Sequence, residues 1–255
     1  MAAPPSHLGK LCIGHGTPWA RVLISAALVL SGVHCAAQDT SAVRNLGIFF
    51  PSPVERPHWT VSLGILTFTT PQDLTEEVRV RVPAVDLHVV RRLPAGFSLD
   101  GRLLAQVVQN HLSLGARWAT QLNDKFSFGM GDDMAYWRGN LPIQGFAAKA
   151  HGWMNYPSVS IGFRSRRDLL FTAKGELLVT IKKSFSVEDN TRTFEADRLS
   201  GYAFSLYMEQ PFFKKTRITL GFTLAYAKFM WSTWSLFQTF DRKLPYPQIT
   251  TALML

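Results

Sequence analysis

The sequence of 255 residues has no apolar run long enough to cross a membrane as a helix. Its most apolar stretch, residues 22–33, is twelve residues long, whereas a spanning helix needs about 20. From residue 58 onward the sequence also lacks helical periodicity, because apolar residues recur at every second position. These absences argue against a helical membrane protein and favour a body built of β-strands.

Cysteines and metal-binding patterns are also scarce. The two cysteines, Cys12 and Cys35, lie in a segment that we expect to be removed, and neither CxxC nor HExxH spacing occurs. We therefore predict no metal, no cofactor and no thiol chemistry. The formal charge is +9, but the basic residues form only short pairs: Arg91–Arg92, Arg166–Arg167, Lys182–Lys183 and Lys214–Lys215. We interpret most of them as solvated turn residues, and none as a nucleic-acid site.

Residues 1–37 have the pattern of a cleavable signal peptide. Lys10 and Arg21 precede the apolar stretch, and no acidic residue accompanies them. A Cys-Ala-Ala sequence ending at residue 37 then provides the small residues of a cleavage site. Two alternatives stay open, namely lipidation of Cys35 and retention of the segment as an uncleaved anchor.

Residues 58–255 alternate between apolar and polar side chains in segments of about ten residues. Near the C-terminus, for example, Ile218 and Leu220 flank Thr219. Such alternation is typical of strands with one apolar and one polar face. In one segment the apolar residues change from even to odd positions at Pro83, which predicts a β-bulge there. The pattern predicts ten strands, at residues 58–69, 77–92, 97–107, 112–122, 125–137, 156–164, 169–183, 200–210, 216–231 and 246–255.

Three features favour a barrel in a membrane over a soluble barrel. Full charges such as Asp100 and Lys174 stand in the middle of the polar faces, as in a water-facing lumen. The connections between strands are short at the end of the barrel that would face the periplasm, at residues 93–96, 123–124, 165–168 and 211–215. At the outer end, three of the five connections are long. The five connections are residues 70–76, 108–111, 138–155, 184–199 and 232–245.

The third feature is the position of the aromatic residues, which gather near the strand ends. Aromatic rings prefer the interface between bilayer and water, so we predict a girdle at each interface. The outer girdle would contain Tyr136, Trp137, Tyr156, Phe229, Trp231 and Tyr246. The inner girdle would contain Trp59, Phe97, Phe126, Phe163, Phe171, Phe212 and Phe213.

In these features residues 58–255 resemble the small bacterial outer-membrane β-barrel proteins as a class. The resemblance implies an all-β fold, a transmembrane antiparallel up-and-down barrel of about ten strands, monomeric and with both ends in the periplasm of a Gram-negative cell. It also implies the lipid bilayer, lipopolysaccharide and the barrel assembly machinery as partners. The chain departs from the class at Leu255, where the class has a terminal aromatic residue. Residues 38–57, which contain three prolines, would be a periplasmic linker or a short insert into the lumen.

One pair of residues suggests chemistry. Asp86 and His88 share a strand face and could together activate water. Some ten-stranded outer-membrane proteases resemble this in an Asp-x-His pair with further aspartates at the outer rim, and Asp132 and Asp133 lie near the outer end of a predicted strand. The strand order puts Asp86 and His88 towards the periplasm instead. We therefore expect a hydrogen-bonded lumen pair and a protein that is not an enzyme.

The charged residues of the polar faces are candidates for an ion-pair network in the lumen: Arg79, Arg81, Asp86, His88, Asp100, Arg102, Arg117, Lys174, Glu176, Lys182 and Glu209. In so narrow a barrel we expect these side chains to plug the lumen, although their positive excess could instead favour anions in a pore. The connections 138–155 and 184–199 would face the medium, where they are solvated or bind ligands or lipopolysaccharide. We expect a structural or ligand-binding surface protein; the alternatives are a narrow channel for small solutes, a membrane-embedded hydrolase and a soluble secreted β-barrel.

Overall fold

The structure, a computed structural model, describes residues 46–75, 81–143, 146–165, 168–187, 190–195, 199–213, 216–235 and 242–255. The predicted signal peptide lies outside these residues. The strands are β1 (His58–Thr69), β2 (Arg81–Arg92), β3 (Phe97–Ala105), β4 (Gln109–Gln121), β5 (Phe126–Ile143), β6 (Phe146–Arg164), β7 (Leu170–Val187), β8 (Asn190–Glu195), β9 (Gly201–Phe213), β10 (Thr216–Ala227) and β11 (Leu244–Met254). One short helix, α1 (Gln72–Thr75), follows β1, and single 3-10 turns occupy Pro94–Gly96 and Trp231–Thr233.

Ten of the eleven described strands close into an antiparallel barrel. Each strand pairs with its neighbour in the chain, except that β7 pairs with β9 along its first half and with β8 along its second half. Pairing of β1 with β11 closes the barrel, from Ser62 opposite Met254 to Phe68 opposite Gln248. This is the predicted all-β, up-and-down barrel of ten strands.

The two ends of the barrel differ. We call the end where β1 begins and β11 ends the near end, and the opposite end the far end. The connections described at the near end are tight, since Leu93 donates its backbone N–H to Phe97 and Leu122 donates to Phe126. At the far end β5, β6 and β7 extend further than predicted. The predicted long loops 138–155 and 184–199 are therefore largely strand: the first forms the end of the β5–β6 hairpin and the second the β7–β8 hairpin.

Outward-facing side chains in the middle of the strands are mostly apolar, and the inward face carries most of the charge. Leu114 is 63% exposed and Ile249 is 56% exposed, whereas Asp86 and Glu209 on the inner face are at most 2% exposed. This distribution is the reverse of that of a soluble protein and is the one that a lipid environment requires. Among the described residues no helix is both long enough and apolar enough to cross a membrane.

The soluble-barrel alternative required Leu99, Leu103 and Val107 to lie in a core. Leu99 is 52% exposed and Val107 is 88% exposed, and Leu103 lies on the same outward face and is only half-buried. Leu99 and Leu103 thus place the apolar face of β3 outside, whereas Val107 lies in the connection after β3. The soluble alternative is therefore wrong.

The bulge predicted at Pro83 is also wrong. β1 and β2 pair without a register shift, with Pro83 directly opposite Thr67. Val82 and Ala84 face inward, whereas Val85 faces outward. The change from even to odd apolar positions therefore has another cause: the far end of the lumen is itself apolar. A register shift does occur elsewhere, between β6 and β7 at Trp153.

The predicted inner girdle is present at the near end of the barrel. All seven of its residues lie at the near ends of strands and are at least 36% exposed. The prediction of the outer girdle was largely wrong, because Trp137, Trp231 and Tyr246 are buried inside the barrel. Among the described side chains, Tyr136, Trp153, Tyr202 and Tyr226 face outward towards the far end, and the last two stack at 5.7 Å between centroids.

Candidate functional site: the filled lumen

An N-terminal insert, residues 46–53, occupies the near end of the lumen. Ile48, Phe49 and Phe50 are at most 7% exposed. The ring of Phe49 stacks on Tyr207 of β9 at 3.9 Å between centroids and lies 5.1 Å from the ring of His88. The structure thus places residues 46–53 of the 38–57 segment inside the barrel, as a lumen insert would be, whereas residues 55–57 are exposed.

The insert is held by Glu209, the last inward-facing residue of β9. Its carboxylate accepts hydrogen bonds from the backbone N–H groups of Ile48 at 2.6 Å, Phe49 at 3.4 Å and Phe50 at 3.0 Å. The hydroxyl of Thr219 donates a further bond at 3.3 Å. A buried carboxylate that accepts several N–H bonds fixes the backbone that donates them.

Arg92 holds the insert from the opposite wall. Its guanidinium donates to the hydroxyl of Thr60 at 2.7 Å and to the backbone carbonyl of Gly47. The residue is only 3% exposed, so the interpretation of Arg91–Arg92 as solvated turn residues is wrong for Arg92. The sequence did indicate that Arg92 faces the lumen. It lies an even number of residues from Asp86 and His88 on the same strand and so shares their face.

On the far-end side of the insert lies a charged layer. It contains Asp86, His88, Asp100, Arg102, Arg117, Asp133, Lys174 and Glu176. Arg102 binds Asp86 through two parallel bonds, Nε to Oδ1 at 2.9 Å and Nη2 to Oδ2 at 2.6 Å. This bidentate geometry is the strongest that an Arg–carboxylate pair adopts.

A second chain of contacts crosses the charged layer. Nε2 of His88 lies 2.8 Å from Oδ2 of Asp100, and Arg117 joins Asp100 to Asp133 at 3.0 Å on each side. Lys174 continues the chain to Glu176, with Nζ 2.6 Å from Oε1. The layer therefore contains three Lys or Arg and four carboxylates, so it has no positive excess that would select anions.

The other members of the predicted network lie elsewhere. Glu209 holds the insert, at the near end of the same lumen. Arg81 and Lys182 are exposed at the far end, and Arg79 lies outside the described residues. Arg81 shares the outward face of β2 with Val85, and Lys182 faces outward opposite Trp153, next to the register shift between β6 and β7.

Asp132 and Asp133, which the sequence placed near the outer end of a strand, also lie elsewhere. β5 extends to Ile143, so Asp132 and Asp133 stand in mid-strand and not near its outer end. Asp133 faces inward and belongs to the charged layer, whereas Asp132 faces outward and accepts a bond from Asn155 at 2.7 Å. Neither residue is free to assist Asp86 and His88.

An aromatic cap closes the far end of the lumen; its members are Phe68, Trp137, Met230, Trp231, Trp234 and Tyr246. The connection after β10 turns inward, so that Trp231 stacks on His111 at 4.7 Å and meets Phe68 edge to face at 5.2 Å between centroids. The side chain of Gln109 donates to the carbonyl of Ser232 at 3.0 Å. Sequence reasoning missed this cap because aromatic residues at strand ends were taken for an interface girdle.

The described room between the insert and the charged layer is small. A cavity of about 30 Å³ lies between the insert, Arg117 and Lys174, enough for one or two waters. Within the described residues no group of three or more His, Cys, Asp or Glu is arranged to hold a metal ion.

Comparison with known proteins yields similarity of fold alone. No protein-family model and no curated protein sequence matches the chain. The outer-membrane protease OmpT from Escherichia coli is similar in structure, at a TM-score of 0.51 and 8% identity over 78% of this chain and 94% of that one. The translocator domain of the autotransporter NalP from Neisseria meningitidis reaches 0.43 at 8% identity over 92% and 96%. Outer-membrane phospholipase A from E. coli reaches 0.38 at 13% identity over 86% and 98%. The chain therefore has the closed β-barrel fold of bacterial outer-membrane proteins.

Proposed function

We propose that this chain is an outer-membrane barrel with a closed lumen, whose role is structural or ligand-binding and is carried by its far end. The near end, with its tight turns and both barrel termini, would face the periplasm, since such barrels have short periplasmic turns. The chain would reach the outer membrane through secretion and insertion by the assembly machinery.

The observation that carries the proposal is the occupied lumen. The insert fills the near end, the charged layer crosses the middle, and the aromatic cap fills the far end. A ten-stranded barrel is narrow enough for side chains to fill it, so three successive layers leave no wide aqueous path among the described residues.

The experiment is conductance of the refolded full chain in planar bilayers, with a variant that lacks residues 46–53. We expect no stepwise conductance from either protein, because the charged layer and the aromatic cap remain when the insert is removed. Stable open steps from the full chain would overturn the proposal.

A narrow channel is the second candidate, and one observation favours it: the insert has no regular secondary structure and contacts the wall through few polar side chains, chiefly Glu209 and Arg92. An insert held in this way could leave the lumen. The channel model predicts that the variant without residues 46–53 conducts while the full chain does not.

We propose no catalytic role for Asp86 and His88. Both oxygens of Asp86 are bound by Arg102, and Nε2 of His88 is bound to Asp100. The side chains of Asp86 and His88 are at most 2% exposed, so a substrate has no access to them. Hydrolysis of peptide or lipid ester substrates that is lost on His88→Ala, in a variant that still folds, would contradict this.

A further inference from the structure

An ionisable side chain, Asp132, lies on the outer surface of the barrel at the middle of its apolar band. On β5 the outward residues run from Phe126 in the inner girdle to Tyr136 towards the far end, and Asp132 lies between them. A strand that rises about 3.4 Å per residue and is tilted by about 40° climbs about 26 Å over this stretch, which is the height of the apolar band of such barrels. Asp132 is thus about 16 Å from the level of Phe126 and about 10 Å from that of Tyr136.

The wall around Asp132 is otherwise uncharged on its outer face. The outward faces of β3, β4, β6 and β7 carry no ionisable residue over the described stretches 97–105, 112–118, 153–163 and 171–179. The side chains next to Asp132 are apolar and between 43% and 63% exposed: Leu114, Met130, Met134 and Val159. An acidic side chain among lipid-facing residues is costly, and in membrane proteins such residues are found paired with polar groups. Asp132 therefore needs hydrogen-bond donors that acyl chains do not supply.

The chain supplies one such donor, Asn155 on β6. Its side-chain amide donates to Oδ1 of Asp132 at 2.7 Å. The amide has a second N–H and a carbonyl, and the carboxylate has a second oxygen, and none of these is bonded within the described residues. Pro157, directly opposite Asp132, has no backbone N–H, and the pairing of β6 with β7 is interrupted at Pro157. The polar pair is thus only partly satisfied, in a place where lipid offers no hydrogen bonds.

The surface beside Asp132 is low. Its two cross-strand neighbours are small, namely Ala116 on β4 and Pro157 on β6. Larger outward side chains flank this row on both sides: Trp118, Met130 and Val159 towards the near end, Leu114 and Met134 towards the far end. Small residues let two membrane-spanning surfaces approach each other closely. The carboxylate of Asp132 therefore lies in a shallow groove that a second membrane-spanning surface can reach.

We propose that this surface, the Asp132 face (Ala116, Asp132, Asn155 and Pro157), pairs with the same surface of a second copy of the chain in the membrane. Both copies cross the bilayer in the same direction, so a two-fold axis along the membrane normal brings residues of equal height together. Each Asn155 then donates its second N–H to the Asp132 carboxylate of the other copy, so that amides and carboxylates alternate around the axis. The dimer departs from the monomer that the resemblance to small barrels implies.

Complementarity favours a second copy over another occupant. A second copy carries, at the same height, both the donor that Asp132 lacks and the acceptor that the second N–H of Asn155 lacks. A contact that uses one surface on both copies is complete with two. The opposite wall has no equivalent surface, because β11 lies halfway round the ring of strands from β5 and its outward residues there are Ile249, Thr251 and Leu253.

The test is sedimentation equilibrium of the refolded full chain in density-matched micelles, which gives the dissociation constant of self-association. The wild type should form dimers. The variant Asp132→Ala/Asn155→Ala keeps the surface low but removes its hydrogen bonds. It should weaken self-association about tenfold, since each of the two bonds between the copies contributes about threefold in a membrane.

A second variant and a control separate the surface from the polar pair. Ala116→Leu leaves Asp132 and Asn155 in place but fills the groove between Trp118 and Leu114, so it should also weaken self-association. Thr251→Leu makes a comparable enlargement and removes a polar group on the opposite wall, and it should associate as the wild type does. Gel mobility without boiling shows whether each variant is folded.

A wild type that stays monomeric at every protein concentration reached would overturn the inference and assign the Asp132 face to a different membrane partner. Self-association that Asp132→Ala/Asn155→Ala and Ala116→Leu leave unchanged would overturn it as well, as would an equal loss in Thr251→Leu. None of these results depends on conductance, so a failure of the closed-lumen proposal would be seen separately.

Discussion

Replacing Glu209 by alanine should make the N-terminal insert open more often while leaving the barrel intact. Glu209 accepts two short N–H bonds, from Ile48 at 2.6 Å and Phe50 at 3.0 Å, and a longer one from Phe49 at 3.4 Å. A hydrogen bond to a charged group contributes about 1.5–3 kcal/mol net, so loss of the two short bonds alone costs about 3 kcal/mol or more. Burial of the Ile48, Phe49 and Phe50 side chains is not directly removed, and the insert stays bound but opens more often.

A cost of about 3 kcal/mol corresponds to an opening equilibrium raised roughly 100-fold, at 1.4 kcal/mol per factor of ten. Amide hydrogen exchange measured by mass spectrometry reports this opening directly, because it follows local unfolding. We expect the peptide that contains residues 48–50 to exchange about 100-fold faster in Glu209→Ala, while amides of β4 keep their protection.

The matched control is Thr219→Val, which removes only the 3.3 Å bond to Glu209 and keeps the carboxylate. Its exchange at residues 48–50 should change by less than about tenfold, because the Glu209 carboxylate keeps its bonds to the backbone N–H groups of the insert and loses only one long bond. If Glu209→Ala leaves exchange at residues 48–50 unchanged while the barrel stays folded, Glu209 does not hold the insert and the reasoning is refuted.

Three further predictions concern the other layers. Gly139→Val should disturb the aromatic cap, because a Cβ atom on Gly139 would overlap the indole ring of Trp234; we expect a red-shifted tryptophan emission. Arg102→Ala should lower the free energy of unfolding by about 3 kcal/mol, because it leaves the Asp86 carboxylate buried without a partner. Addition of Asp86→Ala should recover part of that loss in urea titrations. Leu114→Arg, on the outer face, should cost about 2–4 kcal/mol in lipid vesicles, whereas in a soluble protein the exposed position would tolerate it.

The barrel itself was predictable from the sequence because most of its strands alternate between apolar and polar residues. β1 was predicted at residues 58–69 and lies at His58–Thr69, and β10 begins at the expected residue, Thr216. Period-two alternation and turn positions are local properties, so they need no knowledge of the rest of the chain. The boundaries failed where the far-end hairpins continue, since polar residues there, such as Asn140 and Lys149, resemble loop residues although they pair across a hairpin.

The contents of the lumen were only partly predictable. Asp86, Asp100 and Arg102 stood on predicted polar faces, and the structure brings them into one layer. The insert and the aromatic cap were not foreseen in detail, because an apolar residue on a strand, such as Tyr246, gives the same pattern whether it faces lipid or a filled lumen. Whether a barrel is empty or full depends on contacts between segments far apart in the chain, which strand periodicity does not record.

The most direct measurement for the central claim is the gel mobility of the full chain in the outer-membrane fraction of a Gram-negative host, with and without boiling. A closed barrel that resists the detergent at room temperature should migrate in a compact form and shift to its unfolded position only after boiling. Recovery in the soluble periplasm, with the same mobility before and after boiling, would contradict the account.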